Sequence, residues 1–147
     1  MLTWNEKTYQ EFLDKGYVHI GNIANSELFK RLENKINDIM LGKAKLDYDK
    51  LLMQLDSEDG VYENAGAQSN GFKGATLNYR KIQNLEIDPD FYEFLSSPLF
   101  RKINADIYGA ETPIAIFRAM FMNKPAHKGT KLPWHQDRWN FLDKNPL

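Results

Sequence analysis

Near the end of this 147-residue sequence stand His135 and Asp137, within the run LPWHQD. In an extended segment alternate side chains leave the same face, so an imidazole nitrogen and a carboxylate oxygen from this pair could reach one metal ion together. Two such donors are two-thirds of the two-histidine, one-carboxylate triad that binds Fe(II) on one octahedral face and leaves the opposite positions open. The other histidine would have to come from elsewhere in the fold. The same pair would serve a metal-dependent hydrolase, and a bare His-x-Asp is equally at home on a solvated strand, where the two side chains only bond each other or water. The flanking residues therefore have to decide.

Composition narrows the chemistry. The chain has no Cys, which excludes a disulfide framework, a thiolate zinc site, an iron–sulfur cluster and a Cys nucleophile, so any metal must be held by His, Asp, Glu or water. Lys and Arg number 19 against 20 Asp and Glu, a net charge of −1, which offers no basic field for a polyanion. The opening MLTWNEKTYQEFLDKG lacks a basic segment leading into an apolar one, and no run of about 18 apolar residues occurs. The expectation is one cytoplasmic domain acting on a small molecule, without nucleic acid or membrane as partner; oligomeric state is not legible.

The elements that must position the pair can be read from spacing. Thr3 and Glu6 fit a capping box for a first helix carrying Tyr9, Phe12 and Leu13 on one face, with Gly16 as a left-handed stop. Tyr17-Val18-His19-Ile20 has strand composition, and His19 inside it reads as structural. Asn25 or Ser26 caps a second helix, whose Leu28, Leu32, Ile36, Ile39 and Met40 form a stripe before Gly42 ends it. From 43 to 74 the pattern weakens to loop, with a turn or two of helix around Leu51, Leu52 and Leu55 and glycines at 60, 66, 71 and 74; the balance tips slightly toward a lid over a site.

Thr76 to Ile82 (TLNYRKI) reads as a strand. Asp88-Pro89 then opens a short helix through Leu95, and Ser97-Pro98 a second one with Leu99, Ile103 and Ile107 on one face up to Gly109. Ile114 to Met122 (IAIFRAMFM) is apolar on both faces except for Arg118, as a central strand would be, and Asn123-Lys124-Pro125 stops it. Arg118 must find a partner or project into a polar cavity, and the expectation is that it faces the substrate region. Helices gather early and strands late, which predicts an α+β fold.

Read together, the strand IAIFRAMFM, the Asn-Lys-Pro turn, the polar loop and the segment WHQDRWNF resemble the phytanoyl-CoA dioxygenase family. YRKIQNL at 79–85 is similar to a further family segment, and the opening helix, GYVHI and the Leu/Ile helix resemble its N-terminal region, so the likeness covers nearly the whole chain and is weakest over 43–74. The resemblance implies a double-stranded β-helix, a cupin-like jelly roll, of which residues 1–147 would be the N-terminal part, incomplete at the C-terminus. It implies that His135 and Asp137 bind Fe(II), and that Lys81, Met120, His135, Gln136 and Asp137 line the pocket of the cosubstrate 2-oxoglutarate, with ascorbate a further candidate cofactor.

From the residues alone, Lys81 reads equally well as a solvated strand lysine, Met120 better as core filling, Trp134 and Trp139 as packing, and His127 as a loop residue in solvent. The activity implied is hydroxylation of an unactivated C–H bond coupled to decarboxylation of 2-oxoglutarate to succinate. Asp137 favours hydroxylation over halogenation, because related halogenases carry a small residue in its place. In the family the second iron-binding His and an Arg that grips 2-oxoglutarate come long after the His-x-Asp, whereas this chain ends ten residues after Asp137. The alternative expectation is therefore a truncated, non-catalytic family fragment; a hydrolase explains neither Lys81 nor the Asn-Lys-Pro turn.

Overall fold

A buried tyrosine and an isoleucine on one strand organise the fold. The computed structural model describes residues 4–125 and 129–131. Among them Tyr79 and Ile82 have no solvent exposure, and they meet Ile36, Ile39 and Met40 of one helix together with Leu51, Met53, Leu85 and Ala119. The buried Tyr79 hydroxyl is satisfied, accepting from the Lys73 amide at 3.0 Å and donating to the Gly74 carbonyl at 2.9 Å.

The strands are β1 (Leu52–Leu55), β2 (Ser69–Asn70), β3 (Tyr79–Gln83) and β4 (Met120–Met122). They form one antiparallel sheet in the order β2-β1-β3-β4. The helices are α1 (Glu6–Lys15), α2 (Ser26–Met40), α3 (Pro89–Leu95) and α4 (Pro98–Tyr108). This is an α+β arrangement, as the residue patterns predict. Helix α2 lays its buried residues on the Tyr79/Ile82 face of the sheet, and Phe91 and Leu95 of α3 pack against the same cluster.

Local sequence explains most of the helices. Asn5, rather than Thr3, caps α1: its Oδ1 accepts from the Thr8 amide at 3.2 Å while Thr8 Oγ1 accepts from the Asn5 amide at 2.8 Å. The reciprocal cap therefore stands two residues later than the Thr3/Glu6 reading, and Trp4 then falls at the position that staples onto the first turn, 5.8 Å from the Tyr9 ring. Trp4 Nε1 also donates to Asp106 Oδ2 at 2.7 Å, which ties α1 to α4. Asn25 caps α2 through the Leu28 amide at 2.8 Å. Gly42 beyond it has φ 71°, and a Cβ there would stand 2.7 Å from the Phe72 ring, so both the backbone and the close approach require glycine. Asp88 caps α3, with Pro89 in its first turn. Lys35 of α2 bridges Asp88 and Asp90, both at 3.3 Å, and clamps α2 to α3.

Three expectations are corrected. Residues 17–20 form no strand and His19 is exposed, because β-propensity without a neighbouring strand to pair with gives no ladder. The turn of helix around Leu51–Leu55 is instead β1, which lies between β2 and β3 with Leu51 and Met53 buried, so this part of 43–74 is sheet and not lid. The strand at 114–122 shrinks to Met120–Met122, at one side of the described sheet. It is not covered on both faces: Phe117 is 72% exposed and Ile114 52%, and apolar composition there does not mean burial.

Because Ile82 is fully enclosed by α2 and its neighbouring strands, Ile82→Ala should cost about 2–5 kcal/mol in urea unfolding. A loss below about 1 kcal/mol would mean that the site collapses around the deletion and that this contact is not central.

Candidate functional site

The other face of the sheet is built by an irregularity in β3. Its sequence is Tyr79-Arg80-Lys81-Ile82-Gln83, and strict alternation would send Arg80 to the side of Ile82, into the apolar core. The register prevents this. Gln54 pairs with Lys81 and the next residue, Leu55, pairs with Tyr79, so Arg80 is an extra residue with no partner on β1. Such a bulge re-aims a side chain. Tyr79 and Ile82 can both enter the core, while Arg80 and Lys81 both stand on the side of Gln54.

Arg80 is only 4% exposed. Its Nε donates to Thr130 Oγ1 at 3.1 Å, its Nη1 to Gln54 Oε1 at 3.2 Å, and its guanidinium lies 4.6 Å over the Tyr62 ring. Gln54 Nε2 in turn donates to the Gly66 carbonyl at 2.8 Å. Asp56, also buried, accepts from the amides of Ser57 and Thr130 at 2.9 and 3.3 Å, which brings Thr130 under the arginine.

Lys81 is partly buried, with Nζ 3.4 Å from Gln68 Oε1. Burial, with the positive charges of Arg80 and Arg118 added to it, pushes its ammonium below the usual lysine range. Gln83 is 1% exposed; its Oε1 accepts from Arg118 Nη1, and its Nε2 has no acceptor among the described residues. The antiparallel register sets Met122 opposite Lys81 and Met120 opposite Gln83. Met120 is 49% exposed, so it is not core filling.

The outcome is a surface of donors: an ammonium, two guanidinium groups and an amide. None of Arg80, Lys81 and Arg118 is ion-paired with a carboxylate among the described residues, whereas Lys15, Arg31, Lys35 and Lys102 of the helices are. Glu86 accepts from the Ala119 amide at 2.9 Å instead. A buried or half-buried cation without a counter-charge is costly, and an anionic ligand with several acceptor oxygens would satisfy this set.

Of the residues singled out from sequence, the structure brings together Lys81, Met120 and Arg118. Arg118 finds Gln83 and the ring of Phe117, 5.0 Å away, as its partners. His135, Gln136, Asp137, His127, Trp134 and Trp139 lie outside the described residues, and among those described no group of three or more His, Asp or Glu comes together to hold a metal. Arg80, Gln54 and Gln83 were not anticipated. Their one sequence signal is the adjacent Arg-Lys inside a strand whose neighbours are apolar, a pairing that alternation cannot accommodate. An apolar groove also runs between α2, α3 and β4, lined by Phe29, Leu32, Phe91 and Phe94, without a cluster of charged groups.

No described helix is long and apolar enough to cross a membrane. Neither a curated protein nor a solved structure matches the chain. The sequence profile of the phytanoyl-CoA dioxygenase (PhyH) family, however, matches residues 12–146, which include both β3 and the His-x-Asp segment, and the chain belongs to that family.

Proposed function

We propose that this chain binds 2-oxoglutarate and Fe(II) as part of an oxygenase that hydroxylates an unactivated C–H bond of a small molecule, consuming O₂ and releasing succinate and CO₂. The observation that carries the reading is the group of cations on this face of the sheet, where Lys81, Arg80 and Arg118 have no ion-paired carboxylate among the described residues. A dicarboxylate supplies the missing acceptors and the missing charge. Family membership supports the same chemistry.

In this reading the Lys81 ammonium holds a carboxylate of the cosubstrate, and Arg80, fixed by Thr130, Gln54 and Tyr62, supplies a positive field from beneath without moving. Met120 gives the pocket an apolar wall opposite Gln83 and keeps water from the donors. His135 and Asp137 would hold Fe(II) through nitrogen and oxygen donors of suitable kind, and Gln136 between them would brace the pocket. When bound, the iron supplies the oxidative chemistry, and this chain's residues hold the ligands and exclude water. The described sheet would then be the first part of a jelly roll, in a protein of the cytoplasm.

Lys81→Ala should weaken 2-oxoglutarate binding about ten- to hundredfold in calorimetry, the worth of one hydrogen-bonded charge. The pH dependence has a definite sign. The protonated lysine binds the anion, and its proton is held less tightly than in free lysine, so affinity should fall with rising pH before the ordinary lysine range is reached. Lys81→Arg should move that fall to higher pH. Equal affinity in Lys81→Ala, or a pH profile that Lys81→Arg leaves unchanged, would remove Lys81 from the site.

For the metal, the check is the visible absorption band of the iron–2-oxoglutarate chelate, measured without oxygen. The full chain should develop it on adding Fe(II) and 2-oxoglutarate, and Asp137→Ala should lose it. A band of undiminished intensity in Asp137→Ala would refute the ligand assignment.

A further inference from the structure

Asp56 is a buried carboxylate that the proposed binding of the cosubstrate does not use. It stands directly after β1, is 5% exposed, and forms no ion pair among the described residues. Both of its carboxylate oxygens are taken by backbone amides instead: Oδ1 accepts from Ser57 at 2.9 Å, and Oδ2 from Thr130, 74 residues further along the chain, at 3.3 Å. A charge is costly to bury, and bonds from amides to a carboxylate are of the stronger, charge-assisted kind. The Ser57 bond is local. The Thr130 bond ties the end of β1 to the last described stretch before His135.

The segment between β4 and Thr130 is held at both feet. At the first, the Asn123 amide donates to the Arg80 carbonyl at 2.9 Å, and Asn123 Nδ2 donates to the carbonyls of Leu77 and Tyr79, both at 3.0 Å. The asparagine of the Asn-Lys-Pro turn thus fastens the end of β4 onto β3. At the second foot the Gly129 amide donates to the Pro125 carbonyl at 3.1 Å, and a Cβ on Gly129 would stand 3.0 Å from Lys124 Cβ and 3.1 Å from its Cα. Only a residue without a side chain returns so closely against its own start. Thr130 follows, 3% exposed, with its amide on Asp56 and its hydroxyl on Arg80. The chain therefore passes through Thr130 on the face that carries Lys81, and the five residues from Thr130 to His135 reach at most about 17 Å.

We infer that Asp56, acting through the Thr130 amide, is a positioning residue for the metal: it fixes the point from which the His135 and Asp137 segment starts, within reach of a cosubstrate held at Lys81. This role rests on His135 and Asp137 being the iron ligands of the proposed function. Without the bond, the last fixed point before His135 moves back from Thr130 to Pro125, and the free tether lengthens from five residues to ten. The local concentration of a tethered group falls roughly as the −3/2 power of tether length, so this doubling alone weakens metal binding about threefold.

The full chain is titrated by calorimetry with Fe(II) alone, without oxygen, and separately with 2-oxoglutarate in the absence of metal. In Asp56→Asn an NH₂ group replaces one acceptor oxygen, so one of the two amides loses its partner. Fe(II) affinity should fall about three- to tenfold while metal-free 2-oxoglutarate affinity stays within about 1.5-fold, since Arg80 keeps Gln54 and Tyr62. In NMR the Thr130 amide should exchange with solvent about tenfold faster or more. Gly129→Ala leaves the buried carboxylate intact and pushes the second foot away; it should weaken Fe(II) in the same way, which keeps the test open if Asp56→Asn does not fold. Thr130→Ser retains both bonds and should match the unaltered chain. Equal loss of Fe(II) and 2-oxoglutarate affinity in both variants means a general role in stability and overturns the positioning role, as does normal Fe(II) affinity once the Thr130 amide exchanges freely. Asp137→Ala separates this from the underlying assignment. If it binds Fe(II) normally, the ligand assignment fails and the positioning role with it; if it loses Fe(II) while Asp56→Asn and Gly129→Ala bind normally, the ligands stand and only the positioning role falls.

Discussion

The bulge at Arg80 is the constraint on which both faces of the sheet depend. A five-residue strand reading Tyr-Arg-Lys-Ile-Gln has two residues that gain by burial, Tyr79 and Ile82, three positions apart, and regular pleating cannot put both on one side. One extra residue resolves this. It brings Tyr79 and Ile82 together under α2, and it sets Arg80 beside Lys81 on the opposite face. Without it, either a tyrosine would leave the core or a guanidinium would enter it unpaired, and the second alternative is the more costly by several kcal/mol.

The core and the polar face therefore share a single cause. Helix α2 covers one side of the sheet with Ile36, Ile39 and Met40, and α3 is locked to α2 through Lys35 between Asp88 and Asp90. That side is apolar, and the hydroxyl of its fully buried Tyr79 is satisfied. Among the described residues no α-helix covers the opposite side; Tyr62, Gly66, Gln68 and Thr130 come to it from the segments between strands and beyond β4. Close packing behind β3 fixes its backbone, and Arg80 on the front is held in addition by Thr130, Gln54 and Tyr62.

Sequence shows the helices well and the sheet poorly, for physical reasons. Asn25, Asp88-Pro89, Ser97-Pro98 and Gly42 are local signals, decided by backbone groups within a few residues, and the helices they bound stand where the periodicity puts them. Strand β1 was hidden because Leu51, Leu52 and Leu55 fit a helical face as well as an extended run, and only pairing with β3 selects between them. The run IAIFRAMFM misled in the other direction, since its apolar residues predict burial that only Ala119 shows fully. Lys81 and Arg118 were legible as charges in strands. Arg80, Gln54 and Gln83 were not, because their importance arises from a register shift and no single residue encodes one.

The polar face also has a cost that bears on what it is for. Arg80 is held by a hydroxyl, an amide and a ring, all neutral, and Lys81 lies in its field and that of Arg118. A face meant only to stabilise the fold would lower its free energy by replacing Lys81 with an apolar residue, since a half-buried ammonium beside like charges is destabilising. The linkage follows: the folded lysine loses its proton more readily than the unfolded one, so folding is penalised while both are charged, and the penalty eases as pH rises through the lowered value toward the ordinary lysine range. The packing of Tyr79 and Ile82 behind the strand offsets this cost. In the proposed reading, an acid bound there would relieve the same repulsion and would couple ligand binding to stability through Lys81.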